Sequence, residues 1–247
     1  MGCAFKKKSL SLACWCALAA CIPIQGAQGQ QITVTGEVEV TRGPSHSKPK
    51  DSSKIVVWLK PLDVPGYVKP STPPAPASLV QRNKSFDPHL LVIQVGTVVD
   101  FPNHDPFFHN VFSLYDGKRF DLGLYEAGTS RHVRFDKPGV CYIFCNIHPE
   151  MSAVVLVLDT PFYGSVNNAG TFAIADVPPG HYQMRVWDER ALPEVLDKLA
   201  RDVVVSETKQ NVGMIKIAES DISIAHKNKY GRDYDTTTTS SPVYIQP

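Results

Sequence analysis

The sequence predicts an all-β chain folded as two β-sandwiches with one short helix, and three observations carry that expectation. Twenty prolines and sixteen glycines in 247 residues interrupt the chain too often for a helical protein. Short runs rich in Val, Ile, Phe and Tyr recur between Gly, Pro, Asn and Asp, which is the pattern of strands punctuated by turns. A single stretch, ERALPEVLDKLAR, repeats its apolar residues at helical spacing, with Leu192, Val195, Leu196 and Leu199 at i, i+3, i+4 and i+7.

The N-terminus joins the basic KKK at 6–8 to an apolar run from Leu10 to about Ile24 and then to small residues. This is the layout of an export signal over residues 1–29, and the run is short for a membrane span. Two cleavage sites fit. LAAC at 18–21 resembles a bacterial lipoprotein box, in which Cys21 would carry a lipid anchor, whereas AQG before Gln30 suits an ordinary signal peptidase. Either way the expected location is a bacterial periplasm or a membrane surface facing it, with membrane contact only through Cys21. The formal charge of +1 includes Lys6, Lys7 and Lys8. Without them the chain is slightly acidic, which argues against nucleic acid as a partner.

Three tracts follow. QITVTGEVEV at 31–40 and KIVVWLKP at 54–61 read as strands joined by a polar loop, and PLDVPGYVKPSTPPAPA at 61–77 reads as an extended connector. From about Leu79 to Thr160, HLLVIQV, TVVDF, HNVFSL, RHVRF, VCYIFC and AVVLVLD give six strand signals in about eighty residues, a β-sandwich or barrel. From Pro161, YGSVNNAGTFAIADVPPGHYQMRVWDE supplies further strands with turns at NNAG and DVPPG, then the helix, then DVVVS and GMIKIA. The polar, Thr-rich tail at 219–247 is expected to be disordered.

Outside the signal only Cys141 and Cys145 remain. In an exported protein two cysteines ordinarily form a disulfide. Here VCYIFC reads as a strand, and at about 3.3 Å per residue the two lie roughly 13 Å apart, beyond the roughly 7 Å Cα limit for a bridge. Cys141 therefore reads as core packing. CNIHPEM at 145–151 supplies a thiolate, an imidazole and a thioether in seven residues. A type 1 copper site takes two imidazoles and a thiolate, with a weak thioether on the axis. Cys145, His148 and Met151 offer three of these four groups, and His109, opening the apolar run HNVFS, offers the fourth.

FPNHDPFFHNVFS together with CNIHPEM resembles the plastocyanin and amicyanin group of cupredoxins, over about a third of the chain. The resemblance implies a Greek-key β-sandwich over 79–160 holding one type 1 copper ion. It also implies His109, Cys145 and His148 as equatorial ligands and Met151 as the axial one. Asn110 would hydrogen-bond near the Cys145 thiolate, and the edge of His148, framed by Ile147 and Pro149, would pass electrons. The first and third tracts are similar to the carboxypeptidase regulatory-like (transthyretin-like) sandwich. This implies a smaller, discontinuous domain of 30–61 and 161–218, with 62–78 as linker to the inserted copper domain.

Other features read more plainly. Cys141-x3-Cys145 looks similar to a dinuclear copper motif, but the interval to His148 is one residue short and Cys141 sits mid-strand. His104 and Asp105 could ligate or tune the site, or simply hold their loop. His46, His89, His132, His181 and His226 lack partners at ligand spacing. Asn167 and Asp176 read as turn residues, and Trp58 and Trp187 as sandwich core. No phosphate loop, nucleophile elbow or carboxylate pair is recognisable. The expectation is a carrier of single electrons between redox partner proteins, not an enzyme. The competing expectations are a cell-surface binding or adhesion protein with a structural cupredoxin domain, and a periplasmic copper storage or delivery protein.

Overall fold

A computed structural model describes residues 1–2, 31–41, 54–114, 118–220 and 226–234. The expected export signal, Cys21 and most of the Thr-rich tail lie outside the described residues. Among those described, no helix is long and apolar enough to cross a membrane.

The fold is all-β apart from one short helix. The chain enters through β1 (Ile32–Thr41) and β2 (Val56–Asp63). It then runs through β3 (Ala77–Ser78), β4 (Val80–Arg82), β5 (Ser85–Asp87), β6 (Leu90–Gln94), β7 (Val98–Pro102) and β8 (His109–Ser113). β9 (Phe120–Tyr125), β10 (Ser130–Arg134), β11 (Gly139–Cys145) and β12 (Ser152–Leu158) complete this middle stretch. It returns through β13 (Tyr163–Ser165), β14 (Thr171–Val177), β15 (Gly180–Trp187), α1 (Pro193–Lys198), β16 (Arg201–Val205) and β17 (Asn211–Ala218).

The outer strands pair with each other across the middle stretch. Sheets β14-β1-β17 and β13-β2-β15-β16 enclose a core that includes Val34, Val57, Leu59, Phe172, Ile174, Tyr182 and Ile217. These residues alternate along their strands, so each strand turns its apolar face inward and its polar face to solvent. The helix is shorter than the sequence periodicity implies. Pro193 opens it, Leu192 is its N-cap, and only Leu196 and Leu199 pack on the core.

In the middle stretch the sheet β6-β12-β11-β8-β9 faces β10-β7-β3, with the β4–β5 hairpin alongside. Leu79, Phe101, Val111, Ile143 and Val155 are among the residues between them. Cys141 and Cys145 are both buried free thiols in this core, as the strand geometry requires.

β12 explains how the two sandwiches meet. Its alternate residues Ala153, Val155 and Val157 face the inner core, while Val154, Leu156 and Leu158 face Val56 and Trp187 of the outer sandwich. A strand buried on both faces reads as one continuous apolar run, which is what AVVLVL is. Burying each Val or Leu in this seam stabilises it by about 1.5–3 kcal/mol. Trp58 and Trp187 therefore lie at the junction of the sandwiches, where Trp187 is buried and Trp58 partly so. A polar pin flanks the seam. His89 binds the Ser152 carbonyl oxygen through Nδ1 at 3.2 Å and the Glu189 carboxylate through Nε2 at 2.9 Å, with Lys54 3.6 Å from the same carboxylate.

β8 and β11 run antiparallel, with Cys145 opposite Val111 and Phe144 opposite Phe112. His109 begins β8 and Cys145 ends β11, so the pairing brings both to one end of the sheet.

Candidate metal centre

Three donor atoms converge at that end. The His109 Nδ1 lies 3.6 Å from the Cys145 Sγ, and the His148 Nδ1 lies 3.8 Å from it. The three donors fall within 4.8 Å of one another, and all three residues are buried. The loop after β11 is closed by main-chain bonds: the Met151 N–H donates to the His148 carbonyl (3.1 Å) and the Cys145 N–H to the Met151 carbonyl (3.2 Å). Met151 is fully buried, in the same apolar cluster as Cys145. The rings of His109 and His148 meet edge to face with centroids 5.0 Å apart, and Phe107 packs against both.

The electrostatics suit a cation. Burial pushes the Cys145 thiol above its ordinary range, although the N–H groups of Asn110, Ile147 and His148 point at the sulfur and pull the other way. Burial holds His109 below the usual imidazole value, with Asp105 opposing it. Burial, followed by the nearness of His109 and Lys84, depresses His148 to about 4. Both imidazoles are thus neutral donors at neutral pH, and a soft cation would displace the thiol proton. A set of one sulfur and two nitrogens, dry and pre-assembled, fits copper by donor chemistry.

Asn110 divides its contacts between its main chain and its side chain. Its main-chain N–H faces the Cys145 sulfur and its carbonyl accepts from the Asn146 N–H at 3.3 Å. Its carboxamide turns instead to Asp121, with Nδ2 2.6 Å from Oδ1, and its own Oδ1 has no partner among the described residues. The backbone, not the side chain, serves the thiolate.

Part of the segment expected as a disordered tail is ordered against the site. Tyr234 donates its hydroxyl to the Cys145 carbonyl at 2.6 Å, and the His226 ring stacks on Phe144 at 3.9 Å. The Lys229 N–H donates to Asn146 Oδ1 at 2.9 Å and its ammonium reaches Asp121 Oδ2 at 2.8 Å. Aromatic stacking and specific hydrogen bonds hold residues that carry little apolar periodicity.

The other candidates fall elsewhere. His104 binds Arg82 on the surface through Nδ1, 2.9 Å from Nη2. His132 is exposed on β10, opposite Asp100. Asn167 caps its own turn, accepting from the Ala169 and Thr171 N–H groups at 3.0 Å. Asp105, which the sequence left between ligation, tuning and loop support, accepts from His109 Nε2 at 2.8 Å.

No protein-family model matches the chain, and no curated protein does. Among solved structures it is similar to a purple cupredoxin from Nitrosopumilus maritimus, at 26% identity over 33% of this chain and 99% of that one, with a TM-score of 0.31. A reduced amicyanin mutant aligns at 19% identity over 33% of this chain and 80% of its own, with a TM-score of 0.31. A copper-containing nitrite reductase from Thermus scotoductus aligns at 23% identity over 49% of this chain and 28% of that one, with a TM-score of 0.33.

Proposed function

We propose that this chain is an exported type 1 copper protein that carries single electrons between redox partner proteins. The observation that carries the reading is the convergence of one buried thiol and two buried imidazoles within 4.8 Å, where the start of β8 meets the end of β11 and the loop that follows it. His109, Cys145 and His148 would hold the ion, with the Met151 thioether as a weaker fourth donor. Copper bound there supplies a one-electron couple. The protein's own part is to keep the donors still, and the closed 145–151 loop, the packing of Phe107 and the strap at 226–234 all restrain them. Rigid donors reduce the rearrangement that accompanies each transfer.

Burial of every donor favours retention of the ion over storage or delivery, which call for ready exchange. The outer sandwich resembles a carboxypeptidase regulatory-like domain, and we assign it the part of scaffold or docking surface through the seam at β12.

The test is to load the protein with Cu(II) and record its visible spectrum. An intense thiolate-to-copper band that Cys145→Ser abolishes supports the reading, and a colourless protein that binds only zinc overturns it. Repeated reduction and reoxidation without loss of copper separates a carrier from a delivery protein.

A further inference from the structure

His109 presents two nitrogens to two different tasks. Nδ1 faces the Cys145 sulfur at 3.6 Å, and Nε2 lies 2.8 Å from the Asp105 carboxylate. A carboxylate accepts and does not donate when ionised, so Nε2 carries the proton and Nδ1 is left as the lone-pair donor. The contact is dry: His109 has no solvent exposure and Asp105 has 5%.

Asp105 is itself held from three sides. The N–H groups of Asn83 and Lys84 donate to Oδ1 at 2.6 Å and Oδ2 at 2.9 Å, and the Asp105 N–H donates to Asn103 Oδ1 at 3.0 Å. Asn83 and Lys84 are the turn of the β4–β5 hairpin, with φ of 53° and 54°. That left-handed turn aims two successive N–H groups at one point, a small anion-binding concavity. The Lys84 ammonium adds positive charge nearby, 5.7 Å from the centre of the Phe107 ring. The cradle stabilises a negative charge that the surrounding burial opposes. A neutral acceptor would need neither two N–H groups nor a cation.

We propose that Asp105 is a positioning residue for this centre, whose carboxylate fixes the Nδ1-donor tautomer of His109 and strengthens that donor toward the more highly charged, oxidised ion. The proposal rests on the copper reading above. A carboxylate on the distal nitrogen of a ligand imidazole draws its proton and makes the ring more basic, and loss of such a partner typically costs 10–100-fold in metal affinity. The more highly charged Cu(II) benefits more than Cu(I), so the carboxylate lowers the potential of the bound couple.

The test uses the full chain loaded with copper. Asp105→Asn keeps the size and one acceptor oxygen but removes the charge. We expect the visible band to persist and Cu(II) affinity to fall about tenfold more than Cu(I) affinity, a rise of about 59 mV for a one-electron couple. Asp105→Glu, which restores the charge, should recover part of the shift. Asn83→Ala strains the turn while leaving the carboxylate in place, and should lower Tm without moving the potential. An unchanged potential in Asp105→Asn, equal losses in both affinities, or the same shift in Asn83→Ala would reduce Asp105 to a brace for the hairpin and overturn the proposal. A readout on the unaltered chain covers the case in which Asp105→Asn fails to fold. In the Cu(I)-loaded protein, NMR should show a slowly exchanging Nε2 proton on His109, and its absence overturns the tautomer assignment. If the unaltered chain gives no thiolate-to-copper band, it is the copper reading that fails.

Discussion

Replacing Asp121 by alanine tests whether the strap at 226–234 and the strands beside the 145–151 loop form one unit. Asp121 accepts from Asn110 Nδ2 at 2.6 Å, from the Gly123 N–H at 3.0 Å and from the Lys229 ammonium at 2.8 Å. Asn110 is only 3% exposed, and its Oδ1 is already without a partner among the described residues. Loss of the carboxylate therefore leaves a whole buried amide unpaired, at a cost of about 1–3 kcal/mol. The ion pair to Lys229 adds about 0.2–1 kcal/mol at most, because the Asp121 side chain is 42% exposed and screened by solvent. The exposed Gly123 N–H turns to water at little cost. The expected loss is about 2 kcal/mol, read by urea unfolding of the metal-free protein. With a slope of about 2 kcal/mol per molar, the midpoint moves down by about 1 M. Lys229→Met, which removes only the pair, should cost less than about 1 kcal/mol. If Asp121→Ala stays within about 0.5 kcal/mol of the parent, or if Lys229→Met costs as much, the buried amide is not the source of the stability and the reasoning fails.

On the proposed copper reading, Met151→Leu should keep the colour of the copper-loaded protein and raise its potential, because it removes only a weak thioether donor; abolished copper binding would contradict that role. Leu156→Ala at the seam should destabilise the protein by about 2–5 kcal/mol, measured by calorimetry. A small effect would mean that the sandwiches are held by something other than the β12 face. Acid should weaken the polar pin at the seam. Burial raises the Glu189 carboxyl, but the hydrogen bond from His89, then the charges of His89 and Lys54, outweigh it and leave the group below its ordinary 4.5. A carboxyl depressed in the folded state contributes stability above the unfolded value and loses it as pH falls through the folded one. Tm should therefore drop as pH falls below about 4.5, and Glu189→Gln should be less stable at pH 7 but flatter across that window. A parallel pH profile in the variant would show that the pin contributes nothing.

The donors were legible because local order places most of them. Cys145 and His148 share a loop, and His109 and Cys145 each mark the end of an apolar run that alternates as a strand. What joins them is an antiparallel pairing that strand signals imply without specifying. The alternation of VCYIFC likewise placed Cys141 and Cys145 on one face, too distant for a disulfide. The surroundings of the site were less legible, since they depend on contacts far apart in sequence. The β4–β5 turn lacks an Asn-Gly pair and sets Lys84 at positive φ, so nothing in RNKS announces a hairpin. Gly123, at φ 69°, interrupts FDLGLY and hid β9. The 226–234 strap is polar and aperiodic, and its order comes from Asn146, Asp121 and the Cys145 carbonyl, none of which is near it in the chain. The Asn110 side chain turns to Asp121 on the neighbouring strand, a contact that the residue types alone do not specify.

The most direct measurement is X-ray absorption at the copper edge of the loaded protein. A single short thiolate sulfur and two imidazole nitrogens are expected in the inner shell, with the sulfur lost in Cys145→Ser and retained in Cys141→Ser. A shell of oxygen and nitrogen alone, or one containing two thiolate sulfurs, would contradict that expectation.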